Sequence, residues 1–247
     1  MINIMKVYYL LVGLVLFVVF GLCSRDVEET VLRAHKLYGQ QNNIDQALEL
    51  YGSIEKKGSA TWYNMGNCYY KLGNYLDALI CWRRAERDAT WYELSAIHHN
   101  LDQVYKVLGI QPSNKFKASL YRFAQRYLSL FSLYGWQLIF LLGWVLLLFL
   151  VAQLVRNHNY FILSVLCLIT ILFTGALYLK YEIDTTRYGI VIENDLIVYA
   201  GPDKEFHKLG SFARATEVTI CEQQEKWLKI QERDLIGWIS FEHVAII

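Results

Sequence analysis

The sequence predicts an α+β multidomain membrane protein: helical hairpins, a two-helix transmembrane hairpin and a small β-barrel succeed one another along the chain. Three observations carry this prediction. Between Trp62 and Ala85, large and small residues alternate at the spacing of two closely packed antiparallel helices. Apolar residues make up 55% of the chain, more than a soluble domain usually carries, and the surplus falls in three segments instead of spreading through a core. After Leu179 the pattern changes to short apolar runs parted by turn residues, as strands require.

The chain begins with an apolar run, Val7 to Leu22, behind a single Lys6. Residues 1–23 are expected to be a signal peptide cleaved near Cys23 or Ser24, or else a retained N-terminal anchor; either exports the adjoining domain. Leu22 stands where lipoprotein processing of Cys23 needs a small residue. The charge pattern points the other way. Lys115, Lys117, Arg122 and Arg126 precede the first long apolar span, against one Arg156 beyond it, which would hold the preceding domain in the cytoplasm. The leader is given more weight because the segment is short for a span and opens the chain.

Residues 26–110 are expected to form helical repeats. Gly66, Ala78 and Ala85 are small enough for two helices to approach, and Trp62, Tyr69 and Trp82 are large enough to fill the space between one hairpin and the next. This spacing resembles the tetratricopeptide repeat, in which one hairpin cannot bury its own faces and neighbours are required. Val31, Ala34, Tyr38, Ile44, Ala47, Tyr51 and Ile54 repeat the pattern more weakly upstream, with Gln41 to Asn43 as the turn. Downstream, Leu94, Leu101, Tyr105 and Leu108 predict one further helix ended by Gly109 and Pro112. Asn100, Leu101 and Tyr105 match Asn64, Met65 and Tyr69 in position, as in a truncated third unit.

Residues 113–127 predict an amphipathic juxtamembrane helix, with Phe116, Leu120, Phe123 and Tyr127 at helical spacing beside Lys115, Arg122 and Arg126. Such a helix suits either anionic headgroups or a solvated helix end. From Tyr127 to Val155 no residue is charged, and Tyr160 to Leu179 is equally charge-free. Segments 130–155 and 160–180 are therefore expected to cross the roughly 30 Å hydrocarbon layer as helices. The short connection Arg156 to Asn159 makes them a hairpin whose flanks share one compartment. Nothing ionisable within the spans suggests an ion or proton path.

Residues 187–247 predict a small β-barrel, with strands at Gly189 to Glu193, Leu196 to Tyr199, Glu217 to Cys221, Trp227 to Ile230, Gly237 to Ile239 and Val244 to Ile247, and a turn at Gly201 and Pro202. The order Trp227, Ile230, then Gly237, Trp238, Ile239 resembles the bacterial SH3 domain. That resemblance puts Trp227 at the groove tryptophan and His243 at the groove tyrosine, while Ser240 replaces the groove proline. A polyproline ligand needs a packed aromatic groove and is poorly served.

Across almost the whole chain this organisation resembles the BatE family of bacterial aerotolerance (Bat) operons. The strongest local match is Gly58, Ser59, then Trp62 through Gly73, Ala78, Arg84, Ala85 and later Asn100 and Leu101. The resemblance implies a non-catalytic scaffold in the bacterial inner membrane, with its repeat and SH3-like domains on the periplasmic side. Its implied partners are von Willebrand factor A domain membrane proteins and a MoxR-type ATPase. Thr90 stands where the repeat usually has proline, and the first hairpin is degenerate.

Chemistry finds little footing. There is no Gly-rich phosphate loop, no His-Glu metal motif and no nucleophile elbow, so no catalytic residue, metal or cofactor is expected. His98 and His99 are adjacent on a helix and diverge. Cys68 and Cys81 could meet across one hairpin, which keeps a thiol redox protein open as an alternative, although both occupy interior positions where cysteine acts as a small hydrophobe. A net charge of +1 and the lack of a broad basic face disfavour nucleic acid, and no feature favours a small-molecule ligand. In the tetratricopeptide family the first helix of each hairpin lines the concave face. That implies a partner-binding surface of Lys36, then Tyr63, Asn67, Tyr70 and Lys71, then His99, Gln103 and Lys106, suited to an extended acidic peptide or its carboxylate. A second alternative is binding of cell-wall polymer through the SH3-like domain.

Overall fold

The computed structural model describes residues 27–40, 43–110, 115–156 and 160–247. The expected leader at 1–23, the turn residues Gln41 and Asn42, the stop at Pro112 and the connection Asn157 to Asn159 lie outside them. Among the described residues the architecture is α+β, with eight α-helices preceding a seven-stranded antiparallel sheet. Between Ala85 and Glu86 the chain divides into two compact units.

In the first unit, α1 (27–38), α2 (Ile44–Ser53), α3 (Ser59–Lys71) and most of α4 (Tyr75–Arg87) form two helical hairpins. All seven apolar positions expected of the weaker hairpin, Val31 through Ile54, lie in or against a core completed by Met65, Cys68 and Cys81. The turn between α3 and α4 depends on Gly73, whose φ of +80° favours glycine. The N–H groups of Gly73 and Asn74 donate back to the carbonyls of Tyr70 and Tyr69, closing the helix end. Trp82 is not between hairpins, as its size suggests. It lies inside the α3–α4 interface, 2% exposed, against the bare backbone of Gly66.

The second unit contains α5 (Leu94–Leu108), α6 (Lys115–Leu128), α7 (Leu133–Arg156), α8 (Tyr160–Thr185) and the sheet. At the start of α5, the Thr90 N–H and hydroxyl both donate to Glu93 Oε2, at 2.8 and 2.6 Å. That local cap occupies the place where the repeat usually carries proline. Gly109, with φ of +69°, ends the helix. Helices α7 and α8 pack through rings, with Phe140 stacked on Phe173 at 5.8 Å and Trp136 against Phe173 at 5.5 Å. Their outer faces leave Leu138, Leu141, Val145, Leu168 and Leu172 exposed.

The strands are β1 (Arg187–Val191), β2 (Leu196–Tyr199), β3 (Lys208–Phe212), β4 (Glu217–Gln224), β5 (Trp227–Glu232), β6 (Leu235–Ser240) and β7 (Val244–Ile246), in the order β3-β2-β6-β5-β4-β1-β7. Register slips between Val198 and Tyr199 and between Ile220 and Glu222 add local twist, and the sheet encloses Val191, Val198, Leu228, Ile230 and Ile239. The strand pattern predicts a closed barrel. The sheet is instead open, because β3 pairs with β2 and β7 pairs with β1, leaving both as edges. Strand β3 has no counterpart among the strands expected from sequence.

Candidate partner-binding surface

Helix α3 carries both the hairpin's inner packing and the surface expected to meet a partner. Its inner side is fixed by the Trp82 indole, which needs an acceptor because it is buried. The Nε1–H group is shared between the Tyr63 carbonyl and Asn67 Oδ1, each at 3.2 Å. Tyr70 leans on the same indole with ring centroids 5.5 Å apart and meets Tyr75 edge-on at 5.3 Å. Four of the expected contact residues therefore sit on one helix, but two of them, Asn67 and Tyr70, are engaged in holding Trp82.

The basic side chains are placed differently. Lys71 is exposed, and its ammonium lies 3.7 Å from the centroid of the Tyr38 ring, close enough for a cation–π attraction between the two hairpins. Lys36 is exposed on α1, and Tyr63 is half-buried. Trp62 packs against the core and carries Arg84 over its ring at 4.8 Å and Lys57 at 5.7 Å. Lys36 on α1 and Lys71 on α3 are thus exposed, whereas Asn67 and Tyr70 are engaged with Trp82.

In the second unit, His99 and Gln103 sit one turn apart on α5 and contact each other, with 2.8 Å between Nε2 atoms, and Lys106 is exposed farther along. His98 turns away and meets the buried Glu86 carboxylate at 2.8 Å. The adjacent histidines accordingly have separate partners. Among the described residues no group of three His, Cys, Asp or Glu gathers where a metal could bind.

Cys68 and Cys81 are free thiols in the helical core. Both are buried, and burial pushes their thiols up to about 11 and about 12 respectively, so near neutral pH both are protonated and poor nucleophiles.

On the sheet, Trp227 pairs with Ser240 in register and meets Tyr199 edge-on at 5.7 Å. His243 Nδ1 lies 2.8 Å from Glu193 Oε2. The two expected SH3-like surface residues therefore have different neighbours, and Tyr199, which the sequence pattern does not single out, is the aromatic partner of Trp227. The apolar alternation along β2 gives no hint of a surface role for it. Among its described residues the second unit contains cavities. One of about 410 Å³ is lined by Phe212, Thr216 and the 232–235 turn. Another, of about 210 Å³, is an apolar cleft between α7 and α8 at Gly143 and Trp144.

A family model of the tetratricopeptide repeat matches residues 59–86, which comprise α3 and nearly all of α4. A search of curated proteins finds no match to the chain.

Proposed function

We propose that this chain is a non-catalytic scaffold of the bacterial inner membrane that recruits protein partners through its helical repeats. The observation that carries the reading is the α3–α4 hairpin built on Gly66 and Trp82 and matched as a tetratricopeptide repeat, a protein-interaction unit that performs no chemistry itself. Lys36 on α1 and Lys71 on α3 are exposed cations of the unit that also carries Tyr63, which fits an acidic extended segment. Membrane anchorage is supported by Ser164–Thr185, long and apolar enough to cross a bilayer, and by the exposed apolar faces of α7 and α8. The apolar run Val7 to Leu22 favours the periplasmic side for the repeats and the sheet. The family resemblance extends the reading to von Willebrand factor A domain membrane proteins and a MoxR-type ATPase as the partner set.

Two alternatives are weaker. Binding of cell-wall polymer would use the Tyr199–Trp227 pair, a small aromatic surface for a glycan. Thiol chemistry is opposed by the burial that keeps Cys68 and Cys81 protonated. Co-purification from native membranes tests the scaffold reading. Partner proteins recovered with the wild-type chain should fall at least about tenfold with Lys36→Glu and Lys71→Glu combined, since truncating one contact in a groove often costs more than about 1 kcal/mol. Undiminished recovery would remove the repeat surface from binding.

A further inference from the structure

Helix α6 has two faces with opposite fates. Arg122, Gln125 and Leu128, three residues apart, point inward: Arg122 makes a bidentate bond to Asp102 of α5 at 2.7 and 3.0 Å, Gln125 donates to the Glu86 carbonyl at 3.3 Å, and Leu128 is buried. Asp102 also raises the Arg122 pKa, chiefly through this hydrogen bond. Arg122 is therefore paired with a carboxylate on α5 at a half-exposed site. The outward face carries Phe123, Arg126 and Tyr127, all exposed, with the Phe123 and Tyr127 rings 4.7 Å apart, and Leu130 is exposed in the turn beyond the helix.

Beyond α6 the chain turns sharply. The segment Tyr121–Leu128 makes an angle of 74° with Leu133–Val145. Side chains fix the bend from both sides. Trp136 Nε1 donates to the Leu128 carbonyl at 2.8 Å, tying off the end of α6, and Ser132 Oγ accepts the Gly135 N–H at 3.2 Å, capping the start of α7. At this elbow Phe131 and Tyr134 are exposed as well, Tyr134 at 81%. A helix normal to a bilayer, joined at 74° to another, leaves the second nearly in the membrane plane. Aromatic side chains at that level suit the headgroup boundary, and Arg126 with the basic sequence of α6 suits anionic lipid.

We infer that the outward face of the α6–α7 elbow, Phe123, Arg126, Tyr127, Leu130, Phe131 and Tyr134, seats on an anionic phospholipid leaflet. This rests on the proposed membrane anchorage and adds to it a specific lipid-facing surface. The test uses the full chain reconstituted in vesicles of phosphatidylcholine alone or mixed with phosphatidylglycerol, with benzoylphenylalanine replacing Phe123 or Tyr127. Irradiation should give phospholipid adducts at both positions, enriched for phosphatidylglycerol. Arg126→Ala should reduce that enrichment by about fivefold, the effect of one cation near a charged surface. The variant leaves the inward face intact, and carbonate extraction is run on each sample separately. Resistance to carbonate without lipid adducts, adducts to protein alone, or equal labelling of both lipids would overturn the inference while leaving anchorage standing. Release by carbonate would remove the anchorage and the inference with it.

Discussion

Gly66→Leu is expected to open the α3–α4 hairpin while leaving the sheet intact. A Cβ built at Gly66 would lie 2.5 Å from both Cδ1 and Nε1 of Trp82 and 3.0 Å from Cε2. Those atoms belong to a rigid ring that is 2% exposed, hydrogen-bonded to Tyr63 and Asn67, and leaning on Tyr70. The indole cannot swing aside cheaply, so the helices must part. Overpacking costs about 1 to 3 kcal/mol for small additions and more for a full leucine, and an abandoned indole N–H adds about 1 kcal/mol. Better helix propensity than glycine returns somewhat under about 1 kcal/mol. The net loss is about 3 kcal/mol, a large share of the roughly 5 to 15 kcal/mol that holds a domain together. Amide hydrogen exchange on the full chain should show α3 and α4 opening about a hundredfold more often, with β4 and β5 unchanged. Gly52→Ala is the matched control. Nothing lies within 4 Å of its Cβ, so exchange there should be unchanged or slower. Unaltered protection of α3 and α4 in Gly66→Leu would refute the packing of Trp82 on Gly66.

Four further outcomes are expected. Iodoacetamide at pH 8 should modify the exposed Cys221 well before Cys68 and Cys81, and equal rates would contradict their burial. Because folding raises these two thiol pKa values from 9.0 to about 11 and about 12, the unfolded chain loses its thiol protons first as pH rises. Their contribution to stability is complete below about pH 9 and should be lost between there and about pH 12, as read by denaturant midpoints. Glu93→Ala should free the Thr90 N–H and cost about 1 kcal/mol at the start of α5, seen as faster exchange confined to its first two turns. Reporter fusions after Leu108 and at Ile247 should report the same compartment, and opposite readings would refute the transmembrane hairpin.

The α3–α4 hairpin is legible because close helix approach demands small residues at fixed spacing, and Gly66 and Ala78 supply them. The position of Trp82 is less legible: its size announces a packing role, but its receptor, Gly66, is identified only once the two helices are paired. The same pairing explains Asn67. A polar side chain on α3 suggests a partner-facing role, yet a buried indole N–H in the adjacent helix claims its oxygen. Strand β3 escapes notice because Lys208, Leu209, Gly210 and Ser211 are all exposed, so the alternation that marks a half-buried strand is missing. Sheet closure depends on where bulges redirect β3 and β4, which composition does not reveal. Arg122 looks like the neighbouring cations of its helix, and only tertiary structure brings Asp102 to it.

The central claim, that partners bind the exposed basic side of the repeats, is tested most directly by photocrosslinking in intact cells with a photoreactive amino acid at Lys36 or Lys71. The scaffold account predicts a small set of protein adducts at both positions, membrane proteins among them, suppressed when the other lysine is changed to glutamate. Absence of protein adducts at both positions, with cell-wall glycan captured by the same probe at Trp227, would contradict it and move the binding function to the sheet.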